Sequence, residues 1–357
     1  MNDRPTIRTL AKLAGVSNAT VSLALRNHPR IRASERERIQ KIAADAGYKT
    51  NALVSHLTAQ MRLSRTSTYQ STLGLICVSK EAAILKQVPT FQGWIEGCRE
   101  RASLLGYGFD EFILCETKMT PARLVQILDT RDVRGLLIVG PFSNNVLPPE
   151  LAPIWERSAS IVLGIRPIEP SLAFVANDQF STAAQAVREL LKLGYQRPGF
   201  CVSADVDSLV ENRFSGGFAV EQGRLPQKDR IPLFPFKPDA EKAFRLWMER
   251  HQPDVILTLH PEVMKWTKAM GLDIPGDVGI VHLDKTTDFK DWAGVQQNNL
   301  HIGRAAVDMV VGQLHRNEFG VPPFQKCMFI SGTWVTGPTV RSQKSSAQKA
   351  PKKSGKS

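Results

Sequence analysis

Residues 6–29 read TIRTLAKLAGVSNATVSLALRNHP, and the fold of the amino-terminal end follows from them. Ile7, Leu10, Ala11 and Ala14 recur at helical spacing. Gly15 then supplies a left-handed residue, which ends a helix at no side-chain cost. Val16 packs back, and Ser17 stands where its hydroxyl caps a second helix. That helix is expected to turn Ala19, Val21 and Leu25 toward the core, leaving Asn18, Thr20, Ser22 and Leu23 near its exposed side. Two helices joined through a short glycine-containing turn make a helix-turn-helix, whose second helix fits the major groove of DNA. The alternative reading of this stretch alone is a small helical hairpin with no nucleic-acid role.

Charge favours the first reading. The chain has 357 residues and a net charge of +12, but the charge is not evenly spread. Residues 1–66 hold 12 Lys/Arg against 4 Asp/Glu, and residues 342–357 hold 5 Lys and no acid. The intervening 67–341 hold 29 basic and 30 acidic residues. A basic end beside a neutral body is the electrostatic footprint of a nucleic-acid-binding module joined to a domain with another task. The last 16 residues, SQKSSAQKAPKKSGKS, are low in complexity and read as a disordered basic tail, solubilising or weakly DNA-attracting.

The length predicts two or three domains. No apolar run approaches the roughly 20 residues of a membrane span. The opening MNDRPTIR lacks the apolar segment of a secretory signal. The expected location is therefore the cytoplasm, on the nucleoid when bound to DNA, with no membrane partner. Cys77, Cys98, Cys115, Cys201 and Cys327 are scattered in apolar segments without paired spacing, so buried free thiols are expected and no metal site.

Downstream, Ser34-Glu35-Arg36-Glu37 has the form of a capping box, opening a third helix over 34–46 with an Ile39, Ile42, Ala43 and Ala46 stripe. The strings AGVSNATVSLAL, RERI and GYKTNALVSHLTA together resemble the headpiece of the lactose/galactose repressor (LacI/GalR) family, over residues 6–60. By that resemblance, Asn18, Ala19 and Leu23 sit where recognition-helix side chains reach base edges. Asn18 can bond adenine in bidentate fashion, and Ala19 and Leu23 offer apolar contact to a thymine methyl. Thr6, Ser17, Ser22 and Asn27 suit the phosphates, to which Arg8 and Arg26 add charge, and such contacts set register; Thr20 is a further DNA-binding candidate. The resemblance also implies a hinge helix beginning at Asn51, in which Leu57 holds the place of a leucine that wedges into the minor groove and kinks the duplex. Arg32 stands where the family has its capping Ser, and Thr50 where it has Pro.

From residue 72, apolar runs at 73–79, 109–114, 135–140, 160–165, 172–177, 199–203, 255–259 and 278–284 alternate with amphipathic stretches. The latter lie at 90–105, 121–129, 180–193, 210–222, 239–250 and 301–315. Such alternation predicts an α/β core with parallel sheets, better divided into two lobes than built as one sheet. FQGWIEGCRERASLLGY (91–107), AQAVRELLKLGYQRPGF (184–200), IPGDVGIVHLD (274–284) and GVQQNNLHIGRAAVDMVVGQL (294–314) resemble the periplasmic-binding-protein-like core of the same family. The resemblance implies three crossings between lobes, near 175, 298 and 326. The expected organisation is an all-α headpiece over 1–50, hinge and linker over 51–71, and a core over 72–341. Lobe one takes 72–174 with 299–326, lobe two 175–298 with 327–341, and the tail 342–357.

No GxSxG, HExxH, phosphate loop or paired-cysteine motif occurs, so no catalytic residue or cofactor is expected. Gly93 and Gly97, four apart, suggest close helix packing. Ligands of such folds bind at the carboxyl ends of the strands. Arg213 matches the family's ligand arginine, Asp284 the aspartate that accepts from sugar hydroxyls, and Asp178 and Gln297 lie at expected crossings, with Asn177. His260-Pro261 replaces the family's Asn-Asp, Gly217 replaces an aromatic with Phe218 one place on, and Phe91 can stack on a ring. An Arg and an Asp across a cleft suit a sugar or polyol. The expectation is a homodimeric repressor on a near-palindromic operator, controlled by a sugar-like effector. The alternatives are a sugar-binding receptor, an enzyme on the same fold, and a regulator without ligand control.

Overall fold

The computed structural model describes residues 5–25, 30–48, 71–78, 87–114, 119–140 and 143–343. The expected roles of Arg26, Asn27, Asn51 and Leu57, the thiol of Cys115 and nearly all of the tail lie outside these residues.

The headpiece consists of α1 (Ile7–Ala14), α2 (Asn18–Leu25) and α3 (Ala33–Asp45). Leu10, Ala11, Ala14, Val21, Ala24, Ile39 and Ala43 form a core of their own. Gly15 ends α1 at φ +68°, as the turn requires. Two side chains of α3 bind the assembly: Arg38 Nη2 donates to Ala14 O (2.9 Å) and Gln40 Nε2 to Ala24 O (3.0 Å). They satisfy carbonyls that the ends of α1 and α2 leave open.

Two local expectations are corrected. α3 begins one residue earlier, with Arg32 at the N-cap position and no side-chain cap bond, so Ser34 lies inside the first turn and no capping box forms there. Ala19 is exposed and Ala24 is buried. The buried edge of α2 follows the three-residue step from Val21 to Ala24, which turns Ala19 outward.

Among the described residues the body holds two six-stranded sheets. In chain order, the first lobe has β1 (Thr72–Cys77), α4 (Pro89–Leu104), β2 (Gly108–Ile113), α5 (Pro121–Thr130), β3 (Gly135–Val139), α6 (Ala152–Trp155), β4 (Ala159–Leu163) and β5 (Ala173–Asn177). The second has α7 (Gln179–Leu193), β6 (Pro198–Val202), α8 (Ala204–Leu209), α9 (Arg213–Gln222), β7 (Phe234–Pro235), α10 (Glu241–His251), β8 (Val255–Thr258), α11 (Glu262–Ala269), β9 (Gly279–His282) and β10 (Ala293–Gln296). The chain then returns through α12 (Asn299–Arg316) and β11 (Cys327–Ile330) to lobe one, and ends its last strand, β12 (Thr333–Val335), in lobe two.

Strand order is β11-β5-β4-β3-β1-β2 in one sheet and β12-β10-β9-β8-β6-β7 in the other. All pairings are parallel except β10 with β12. The central strands β3, β4, β6, β8 and β9 are buried along their whole length, as parallel strands covered on both faces must be. β11 pairs with β5 in register Cys327↔Phe174 to Ile330↔Asn177, so both strands lie wholly in lobe one. The crossings therefore fall after 177, at 297–298 and at 331–332, and residues 175–177 and 327–330 leave the lobe to which the sequence reading gave them.

Cys77, Cys98 and Cys201 are buried, but Cys327 is exposed, because β11 is an edge strand with one neighbour. Gly93, Gly97 and Gly303 bring α4 and α12 into backbone contact. A Cβ at Gly97 would collide with the Leu300 carbonyl, and one at Gly303 with that of Trp94.

Candidate nucleic-acid interface and interlobe cleft

At the headpiece, the starts of α1 and α2 are closed by their own hydroxyls, while α3 has no side-chain cap. Thr6 Oγ1 accepts from Thr9 N (3.2 Å) and Thr9 Oγ1 from Thr6 N (3.4 Å). Ser17 Oγ accepts from Thr20 N (3.1 Å) and lies 2.9 Å from Thr20 Oγ1. The hydroxyls of Thr6, Ser17 and Thr20 thus serve the caps first. Asn18 and Ala19 are exposed, Ser22 and Leu23 half-buried, and Arg8 is exposed on α1. The helix NATVSLAL carries no charged residue. Its outer face can offer one amide and two apolar contacts to base edges.

In the body, the candidate residues gather where the strands of both lobes end. Asp284 follows β9, and its oxygens are taken from two sides. Thr90 Oγ1, in the first turn of α4, donates to Oδ2 (2.5 Å), and Asn299 Nδ2, at the start of α12, to Oδ1 (3.2 Å). Burial pushes the Asp284 carboxyl above its ordinary range, and these two bonds work against that rise. Asn177 Nδ2 donates to Gln297 O (2.8 Å) and to Asn299 Oδ1 (3.0 Å). Gln297 itself is buried and donates to Leu283 O (2.7 Å).

Arg213 opens α9. Its Nη2 donates to Asp178 Oδ1 (2.9 Å), and its guanidinium lies 4.1 Å from the centre of the Phe329 ring of lobe one. Asp207, buried, positions this helix start by accepting from Phe214 N (3.1 Å). Asp178 caps α7 by accepting from Ser181 N (3.1 Å) and Ser181 Oγ (2.6 Å). Burial alone would raise the Asp178 carboxyl, but the two Ser181 bonds and Arg213 together hold it below its usual value. Arg213 Nε is buried without a hydrogen-bond partner, an unspent donor at the cleft.

His260 is tied into lobe two. Its ring stacks on Phe236 at 3.7 Å, and Nε2 accepts from Ser203 N (3.0 Å). Burial pulls its pKa down to about 4, so the ring is neutral and acts as an acceptor through Nε2. Phe91 meets Trp94 edge-on at 5.1 Å, against the lobe-one core. The structure therefore brings Asp284, Arg213 and Asp178 to the contact between the lobes, holds His260 within lobe two beyond the end of β8, and packs Gln297 at the crossing and Phe91 against the lobe-one core. Among the described residues, no group of three or more His, Cys, Asp or Glu could hold a metal. None of the described helices is long and apolar enough to cross a membrane.

Sequence reasoning missed Thr90, Asn299, Phe329, Asn145 and Glu211. Asn145 Nδ2 of lobe one donates to Leu209 O of lobe two (2.9 Å), and Arg166 pairs with Glu211 (3.2 Å) across the same gap. A run of positive φ at Asn144 and Asn145 and again at Glu211 and Asn212 marks the two loops that meet here. Asn is the residue that tolerates that conformation best after Gly, which was the one available signal.

Comparison with known proteins agrees with this fold. Residues 6–51 match the lacI family of bacterial regulatory proteins, and residues 187–332 match the periplasmic binding protein-like domain. The repressor CytR of Escherichia coli K12 is 24% identical over 334 residues, covering 88% of this chain and 91% of that protein. The NTD biosynthesis operon regulator NtdR of Bacillus subtilis is 23% identical over 289 residues, covering 78% and 82%. Among solved structures, the complex of the transcriptional regulator CelR with cellobiose covers 94% of this chain and all of its own at 18% identity and a TM-score of 0.58. The lac repressor dimer bound to operator and the anti-inducer ONPF covers 95% and 100% at 17% identity and 0.56. With a lacI-type headpiece ahead of a two-lobed, periplasmic-binding-protein-like body, this chain belongs to the lacI family of DNA-binding transcriptional regulators.

Proposed function

We propose that the protein is a homodimeric, sequence-specific repressor whose hold on a near-palindromic operator is set by a small hydroxylated effector between its lobes. The observation that carries this reading is the pairing of two features. An uncharged α2 with Asn18 and Ala19 exposed stands on a basic headpiece, and an acidic and a cationic side chain, Asp178 and Arg213, meet at the strand ends of the body. One headpiece touches few base pairs, so two related by a two-fold axis supply the affinity. Asn18, Ala19 and Leu23 read base edges. Thr6, Arg8, Ser17, Thr20, Ser22, Arg26 and Asn27 hold phosphates, and Asn51 begins the hinge that drives Leu57 into the minor groove. Arg213, Asp178, Asp284 and His260 meet the effector, with Gln297 and Phe91 supporting them. No cofactor and no catalytic step enter this function, which is carried out on DNA in the cytoplasm.

Effector and operator communicate because lobe movement alters the lobe-one surfaces that position the hinges. Such coupling is typically about 1–3 kcal/mol and acts equally in both directions. Genome-wide mapping of bound DNA, followed by salt titration on the strongest site, tests the reading. The expected outcome is a shared near-palindrome whose affinity falls steeply with salt, as release of phosphate counterions dictates, and shifts when a matching sugar is added. Weak binding that ignores sequence would sink it.

A further inference from the structure

In the proposed reading Asp284 receives effector hydroxyls, yet both of its oxygens are already engaged by the opposite side of the cleft. Thr90 and Asp284 are 194 residues apart in the chain and belong to different lobes. At 2.5 Å, the contact has the length of a hydroxyl donating to a carboxylate, a bond stronger than a neutral pair. The second donor cannot turn away. Asn299 Oδ1 accepts from Trp94 Nε1 (3.1 Å) and from Asn177 Nδ2 (3.0 Å). An indole N–H can only donate, and Asn177 Nδ2 is fixed as a donor by its bond to Gln297 O. Flipping the Asn299 amide would set donor against donor twice, so its NH2 group must face Asp284. At the other rim, Asn145 and Arg166 of lobe one hold Leu209 and Glu211 of lobe two.

We propose that Thr90, Asp284 and Asn299 form an interlobe latch, in which the Thr90 hydroxyl delivers to Asp284 the hydrogen bond that an effector hydroxyl would deliver. The lobes then close through protein atoms, and an effector hydroxyl reaches Asp284 only by displacing that of Thr90. This rests on the cleft being the effector site, but the latch itself is tested without any effector.

The test is the distribution of distances between the lobes in the full chain, in sugar-free buffer. Spin labels are attached through unnatural amino acids at Gln126 on α5 and Arg245 on α10, both exposed. Wild type is expected to give one short-distance population. Thr90→Val, which keeps the shape and removes the hydroxyl, is expected to shift the closed-to-open ratio roughly tenfold toward a longer distance, as loss of a hydrogen bond to a charged group implies. Thr90→Ser restores the donor and is expected to restore the short distance, which separates loss of the latch from loss of packing or misfolding. A Thr90→Val distribution matching wild type would overturn the proposal, and so would a wild type already spread between open and closed. Operator binding, measured in parallel by gel shift, reports separately on the regulator reading, since failure to bind DNA leaves the distance result standing.

Discussion

His282 shows how one buried side chain sets a pH limit on the second lobe. It ends β9, is 3% exposed, stacks on Phe289 at 3.9 Å, and accepts from Asp284 N through Nδ1 (3.1 Å). Burial holds its pKa down at about 4. The neutral ring is thus favoured by folding. The stability it contributes is complete above the unfolded value of about 6.5 and is lost as pH falls through about 4. A shift of that size corresponds to about 3 kcal/mol at its upper bound. Urea denaturation at pH 7, 5 and 4 is expected to show a falling midpoint, and His282→Asn, whose amide oxygen can replace Nδ1 as acceptor, to flatten that fall. The neighbouring Asp284 has the opposite sign. Its raised pKa means that its contribution is complete below about 3.9 and is lost as pH rises through the folded value. Ionising this buried carboxyl is therefore destabilising. Asp284→Asn is expected to gain midpoint relative to wild type as pH rises, in the same titration.

At the scale of elements, α2 and the α4–α12 pair carry the sharpest consequences. Asn18, Ala19 and Leu23 give α2 no cationic donor, whereas an Arg is the commonest reader of guanine. Leu23→Arg is expected to create a guanine preference at one operator position, with discrimination of about 1–3 kcal/mol. Selection from a random DNA library by the wild type and the variant checks this, and an unchanged consensus would place Leu23 away from the bases. In the body, Gly303 lets α12 lie against the Trp94 carbonyl and the Cys98 amide of α4. Gly303→Ala forces the two backbones apart and is expected to cost about 1–3 kcal/mol, the usual range for overpacking, read as a lower chemical-denaturation midpoint of the body.

Across the whole molecule, the headpiece and the body are separate packing units. The core around Leu10, Val21 and Ile39 draws only on residues 7–48, while the lobes have four larger clusters. A core so small confers little stability by itself. Calorimetry is expected to show two transitions without DNA, the smaller one first, and operator DNA is expected to raise that first transition because binding stabilises only the folded headpiece. A single transition unaffected by operator would mean that the headpiece draws its stability from the body. The excess of basic over acidic residues in 1–66, beside a near-neutral body, puts DNA-attracting charge on the unit expected to melt first.

The helix-turn-helix was legible from the sequence because its causes are local. Helical spacing from Ile7 to Ala14, a glycine at a left-handed position and a serine cap all act within a few residues. The alternation of apolar runs and amphipathic stretches likewise identified the α/β body, since buried parallel strands and covering helices each impose their own period. The strands β7, β10, β11 and β12 were not read from the sequence, because Gly, Pro or polar residues within or beside each of them cut its apolar run short, whereas the equally short β8 and β9 lie in longer apolar runs. Which lobe owns β11 was decided by its pairing with β5, a contact more than 150 residues apart in the chain. The same holds at the cleft. Arg213 and Asp284 were singled out by their motifs, but their partners Phe329, Thr90 and Asn299 sit in segments with no local mark of that role. Local chemistry determines elements and caps. Only the path of the folded chain determines which distant donors reach a buried carboxylate.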